Sequence, residues 1–87
     1  MSDTLGLLEE ARQIATDLGY EVREEPLGDL PGGPCTVGGV RRVILNLEHS
    51  ASDRLDGLLR ALVDDPRLAA EPTSRLLAAR LHALKSP

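Results

Sequence analysis

The chain has 87 residues, of which 41% are hydrophobic and 28% charged, with a net charge of −4 and an isoelectric point near 5.0. This composition is too apolar for a disordered chain and predicts one small folded domain over residues 1–87. The acidic balance, with Tyr20 the only aromatic, argues against a nucleic-acid binder, and no apolar run reaches the ~18 residues of a membrane span.

Residues 3–18 read as a helix: Leu8, Ala11, Ala15 and Leu18 recur at three- and four-residue steps, and Leu5, Leu7 and Ile14 widen the stripe. Ser2 or Asp3 suits its N-cap and Gly19 its end. Tyr20 to Glu24 alternates apolar and charged residues, the period of a half-buried strand. Pro26 to Pro34 holds three prolines and three glycines in nine residues, which predicts a loop without a ladder of backbone bonds.

Cys35-Thr36-Val37 and Val40 to Leu47 flank Gly38-Gly39, the signature of a β-hairpin with a two-residue turn. Its second strand is apolar enough to be central, with Val43, Leu45 and Leu47 on one face and Arg42, Ile44 and Asn46 on the other. Ser50 to Asp53 matches a helix cap, and behind it Leu55, Leu58, Leu59, Leu62 and Val63 form the best helical stripe in the chain, stopped by Asp64-Asp65-Pro66. A last helix is expected from Pro72 or Thr73 to about Leu84, burying Leu76, Leu77, Leu81 and Leu84. The expected fold is therefore α+β, in the order α-β-β-β-α-α, with a short antiparallel sheet against leucine-rich helices.

Chemistry-bearing residues are few. Cys35, the sole cysteine, excludes an intrachain disulfide and fits a reducing, cytoplasmic setting, and the N-terminal residues lack a basic segment followed by an apolar stretch, so no signal peptide is expected. Because Cys35 opens a hairpin strand rather than a helix, it is expected to pack as a small apolar side chain; the competing roles are a nucleophile paired with His49 and a metal ligand. Glu48, His49 and Asp53 together offer two or three oxygen or nitrogen ligands, short of the spaced set that zinc takes. Gly32-Gly33 resembles neither a nucleotide-binding loop nor a dinucleotide fingerprint, so no cofactor is expected. The acid pairs Glu24-Glu25 and Asp64-Asp65 are read as solvated groups at turns. Residues 1–25 carry seven acids and two arginines, and residues 66–87 one acid against three arginines and a lysine, a polarity suited to pairing within or between chains.

The segment 14–65 resembles the core of ImmA/IrrE-type metallopeptidase domains. The likeness lies in a helix ending in DLGYEV, a glycine-rich loop, a hairpin closing with VILNL, and SASDRL opening a leucine-rich helix; Ile44–Asn46 and Asp53–Leu55 carry the match. The family's zinc motif, H-E-x-x-H, falls on the following helix. Here that helix reads Leu55-Asp56-Gly57-Leu58-Leu59-Arg60-Ala61-Leu62-Val63, with no histidine, so no family site residue carries over. What the resemblance implies is a reduced scaffold without peptidase chemistry.

The reading favoured by these residues is a non-catalytic interaction module, self-associating as a homodimer or binding a protein partner. Seventeen leucines on a chain this small, with Leu5, Leu7, Leu27, Leu30 and Leu68 outside the tidy stripes, predict an exposed apolar patch, and the hairpin has an outer edge open to a partner strand. The alternatives are a ligand- or metal-binding regulatory protein built around the 26–34 loop, and a minor enzyme using Cys35 and His49.

Overall fold

A computed structural model describes residues 3–85. Helix α1 spans Thr4–Asp17. The Asp3 carboxylate caps it by accepting the Gly6 N–H at 2.9 Å, and Gly19, at φ +90°, turns the chain out of it. Ser2, the other candidate cap, lies outside the described residues. Strand β1 is Glu21–Glu25, β2 Gly33–Val37 and β3 Val40–Asn46. Helix α2 covers Ala51–Leu62, a short 3-10 turn Pro66–Ala70, and α3 Arg75–Lys85. The fold is the expected α+β arrangement in the expected order.

The three strands lie in the order β1-β3-β2, so β3 is central, as its apolar run implies. The β2–β3 hairpin is antiparallel, with Gly38 and Gly39 both at positive φ in its turn. β1 adds to β3 in parallel, with Val22 beside Val43 and Glu24 beside Leu45, so the sheet is mixed rather than wholly antiparallel. The 26–32 loop accounts for this. It carries the chain past the end of β3 to the far edge of the sheet, and β3 then returns between its two neighbours.

Both α1 and α2 pack on the face that carries Val22, Val43 and Leu45, and α3 packs on α1. Leu55, Leu58, Leu59 and Leu62 of α2 and Leu77 of α3 are fully enclosed with Val43. Glu24 clamps the layers: its carboxylate is paired with Arg12 of α1 and, at 3.1 Å, with Arg54 of α2. It is therefore a half-buried group inside a strand, not a solvated acid at a turn.

The last helix begins later than its sequence suggests. Glu10 of α1 accepts both the N–H and the hydroxyl of Ser74, at 2.7 and 2.6 Å, and Ser74 Oγ accepts the Leu77 N–H. The cap is thus Ser74, and Pro72 and Thr73 precede the helix. Leu77 and Leu81 are buried and Leu84 half-buried, whereas Leu76, expected inside, is 56% exposed. Leu7 and Leu68, outside the stripes, are buried, the latter by the 3-10 turn that folds it back. Leu5 and Leu30 are exposed.

The opposite face of the sheet carries Glu21, Arg23 and Glu25 of β1, Arg42 and Ile44 of β3, and Cys35 and Val37 of β2, with Val40 beside Val37. All are exposed or half-buried.

Candidate functional site

The loop between β1 and β2 is organised by one buried amide. Asn46, 2% exposed at the end of β3, accepts the N–H groups of Leu27 and Glu48 on Oδ1, at 3.1 and 3.0 Å. Its Nδ2 donates to the carbonyls of Gly28 and Leu30, both at 2.9 Å. A loop without a ladder leaves backbone groups that must find partners, and a carboxamide supplies both polarities at once. Glu48 adds a second tie, accepting the Gly28 N–H at 2.6 Å. Gly32 then runs so close to β3 that a Cβ there would collide with the Ile44 carbonyl.

This loop forms one wall of a cleft of about 420 Å3. Pro31 to Pro34 make that wall, Asp53, Asp56, Gly57 and Arg60 of α2 the other, and Ile44 to Asn46 the floor, with His49 and Arg54 at the sides. The α2 residues fall at i, i+3, i+4 and i+7, one helical face. Arg54 is held by Glu24, and Arg80 of α3 reaches Asp56 at 3.3 Å.

The structure thus brings two of the sequence candidates together and separates the others. His49 and Asp53 line the cleft. The Glu48 carboxylate is turned to the loop instead, and no group of three or more His, Cys, Asp or Glu residues among those described is placed to hold a metal ion. Cys35 lines a separate depression with Arg41, Arg42 and Ala61, away from His49. It is exposed rather than packed as a small apolar side chain, because strand alternation pairs it with Arg42 on the uncovered face.

A second polar centre escaped sequence reasoning. Asp65, expected to be a solvated turn acid, has a side chain only 1% exposed. It accepts the Tyr20 hydroxyl at 2.8 Å, and Arg67 through Nε at 3.1 Å, Nη2 at 2.7 Å and the backbone N–H at 2.9 Å. Arg41 approaches Oδ2, the oxygen that takes the Tyr20 hydroxyl, at 3.4 Å and lies over the Tyr20 ring. The Arg67 guanidinium first, then its N–H and the Tyr20 hydroxyl, hold the carboxyl well below the usual carboxylate range, against the opposing effect of burial. The signal was present in Asp65-Pro66-x-Leu68, an N-cap followed by proline in the first turn. Asn46 had a fainter one, a lone amide closing an apolar strand before a loop that needs partners.

Compared with family models, curated proteins and solved structures, the chain matches none.

Proposed function

We propose that the protein is a non-catalytic interaction module that pairs with a second copy of itself through the open face of its sheet. The observation that carries this reading is the chemistry of that face. Cys35, Val37, Val40 and Ile44 make an apolar strip that Arg42 interrupts on β3 and that Glu21, Arg23 and Glu25 border on β1. Two acids and two arginines balance, although the whole chain carries −4. Within one copy Arg23 pairs with Glu21 and Glu25 and Arg42 with Glu21, so a two-fold axis through this face brings together balanced charges rather than charges of one sign.

The face is a better candidate than the hairpin edge. Val37 and Val40 flank the two-residue turn, so ladder-bonded pairs fall at alternate positions and Pro34, opposite Val43, sits between them. Its missing N–H therefore belongs to the outer edge, where it discourages strand addition. Three strands of five, five and seven residues cover roughly 14 Å by 17–23 Å. That is far less than the ~800 Å2 per partner of a standard interface. The expected dimer is consequently weak and concentration-dependent.

Concentration-dependent NMR shifts test the location. Amides of Arg23, Val37, Val40 and Arg42 should move between dilute and concentrated samples while those of α3 stay still; movement confined to α3 or to the cleft would refute the assignment.

A second reading rests on the cleft, whose volume falls in the range of small-molecule sites and whose polar groups Asn46, His49, Asp53 and Arg60 converge on one space. In that reading the protein is a ligand-binding regulatory module.

A further inference from the structure

We propose that Arg41 and Arg67 form a binding site for a phosphate group at the turn end of the hairpin. The two side chains line a shallow depression of about 360 Å3, whose other walls are Leu18, Gly19, Gly39 and Val40. No acid lines it, in a chain that has fourteen acids against ten arginines and lysines. Strand alternation puts Arg41 on the helix side of β3 with Val43, so the pair does not belong to the open face of the sheet.

Asp65 orients both guanidiniums without exhausting them. Its buried carboxylate engages Arg67 through Nε and Nη2, at 3.1 and 2.7 Å, but Arg41 only through Nη1, at 3.4 Å. Arg41 Nε and Nη2 and Arg67 Nη1 have no partner among the described residues, and the two side chains are 60% and 52% exposed. One carboxylate facing two guanidiniums leaves the cluster with a charge of +1. The backbone adds a donor, the Gly39 N–H, which meets no acceptor among the described residues. Three of the carbonyls that end α1 beside the depression, those of Ile14, Ala15 and Thr16, are taken by the N–H groups of Leu18, Tyr20 and Gly19. Asp17, next to Leu18, accepts the Gln13 amide instead of lining the depression. A guanidinium presents a planar fork of donors, and each fork matches two oxygens. A carboxylate has two oxygens in one plane and satisfies one fork; a phosphate group has three or four terminal oxygens and can satisfy both. Forks already held by one carboxylate lose little freedom when a ligand arrives. The site is open to water, so its binding is weak and falls with salt.

The experiment is an NMR titration of the full chain with inorganic phosphate, phenyl phosphate and acetate, at fixed pH and ionic strength. Saturable shifts should appear at the Nε–H signals of Arg41 and Arg67 and at the Gly39 amide. Inorganic phosphate should bind roughly tenfold more tightly than acetate, the difference expected for about one further charged hydrogen bond. Phenyl phosphate binding more tightly still would assign the site to a phosphate monoester, with Leu18 and Val40 against its substituent; equal binding would assign it to the free ion. Arg41→Gln should weaken phosphate binding roughly tenfold for the same reason, and Arg75→Gln, at an exposed position on α3, should leave it unchanged. Shifts that never saturate, shifts of equal size at Arg75, acetate binding as tightly as phosphate, or wild-type affinity in Arg41→Gln would overturn the proposal. The wild-type titrations decide alone if a variant fails to fold.

Discussion

At the scale of single residues, the polar groups that organise this chain are those its local sequence makes least conspicuous. Asn46 satisfies the backbone of a loop that has no ladder. Asn46→Leu should therefore destabilise the fold by on the order of 3 kcal/mol, because the N–H and C=O groups it serves lose their partners together. Urea denaturation checks this, and a loss under about 1 kcal/mol would mean that water replaces the amide without difficulty. Asp65 makes a prediction in pH. Its folded-state acidity is raised by Arg67 and Tyr20, so its contribution is fully present above the ordinary aspartate value of about 3.9 and is lost as pH falls from there toward the lower folded value. Calorimetry should show a melting temperature that drops below about pH 4, and Asp65→Asn should lower the neutral-pH melting temperature while flattening that acid limb.

At the scale of elements, periodicity revealed the helices and left their partners open. The α2 stripe was legible because leucines at i, i+3, i+4 and i+7 have one way to share a face, and all four are buried. The α3 boundary was not. Its cap depends on Glu10, which is 64 residues away in sequence. Leu76 and Leu77 separate the two situations: Leu77→Ala should cost about 2–4 kcal/mol and Leu76→Ala under about 0.5 kcal/mol. The sheet shows the same limit. Alternation marks β1 as a strand but carries no information about whether it joins β3 in parallel. Gly57 departs from its element in a different way: it sits mid-helix on the cleft wall with nothing within 4 Å of where a Cβ would stand. Gly57→Ala should stabilise α2 by about 0.5–1 kcal/mol in thermal unfolding, since the helix gains propensity without a clash.

At the scale of the molecule, charge and shape divide its surface. The Cα radius of gyration is 12.4 Å, close to the ~12 Å expected for a chain of this length packed as one body. The helices cover one face of the sheet and leave the other, whose acids and arginines cancel while the rest of the chain carries the acidic excess. Composition could announce surplus leucine but not where the surplus would end. Leu7 and Leu68 went into the core, and the open strip is made instead of valine, isoleucine and cysteine from the hairpin. Face assignment is a property of strand pairing, which local sequence does not encode. The central claim, that this face joins two copies, is tested most directly by sedimentation velocity across the micromolar-to-millimolar range. Self-association predicts a sedimentation coefficient that rises with concentration from monomer toward dimer. It also predicts that Val37→Lys and Arg23→Glu, both at exposed positions, remove the rise without changing the circular dichroism spectrum. A wild-type chain that stays monomeric at millimolar concentration, or a dimer that survives both substitutions, would contradict it.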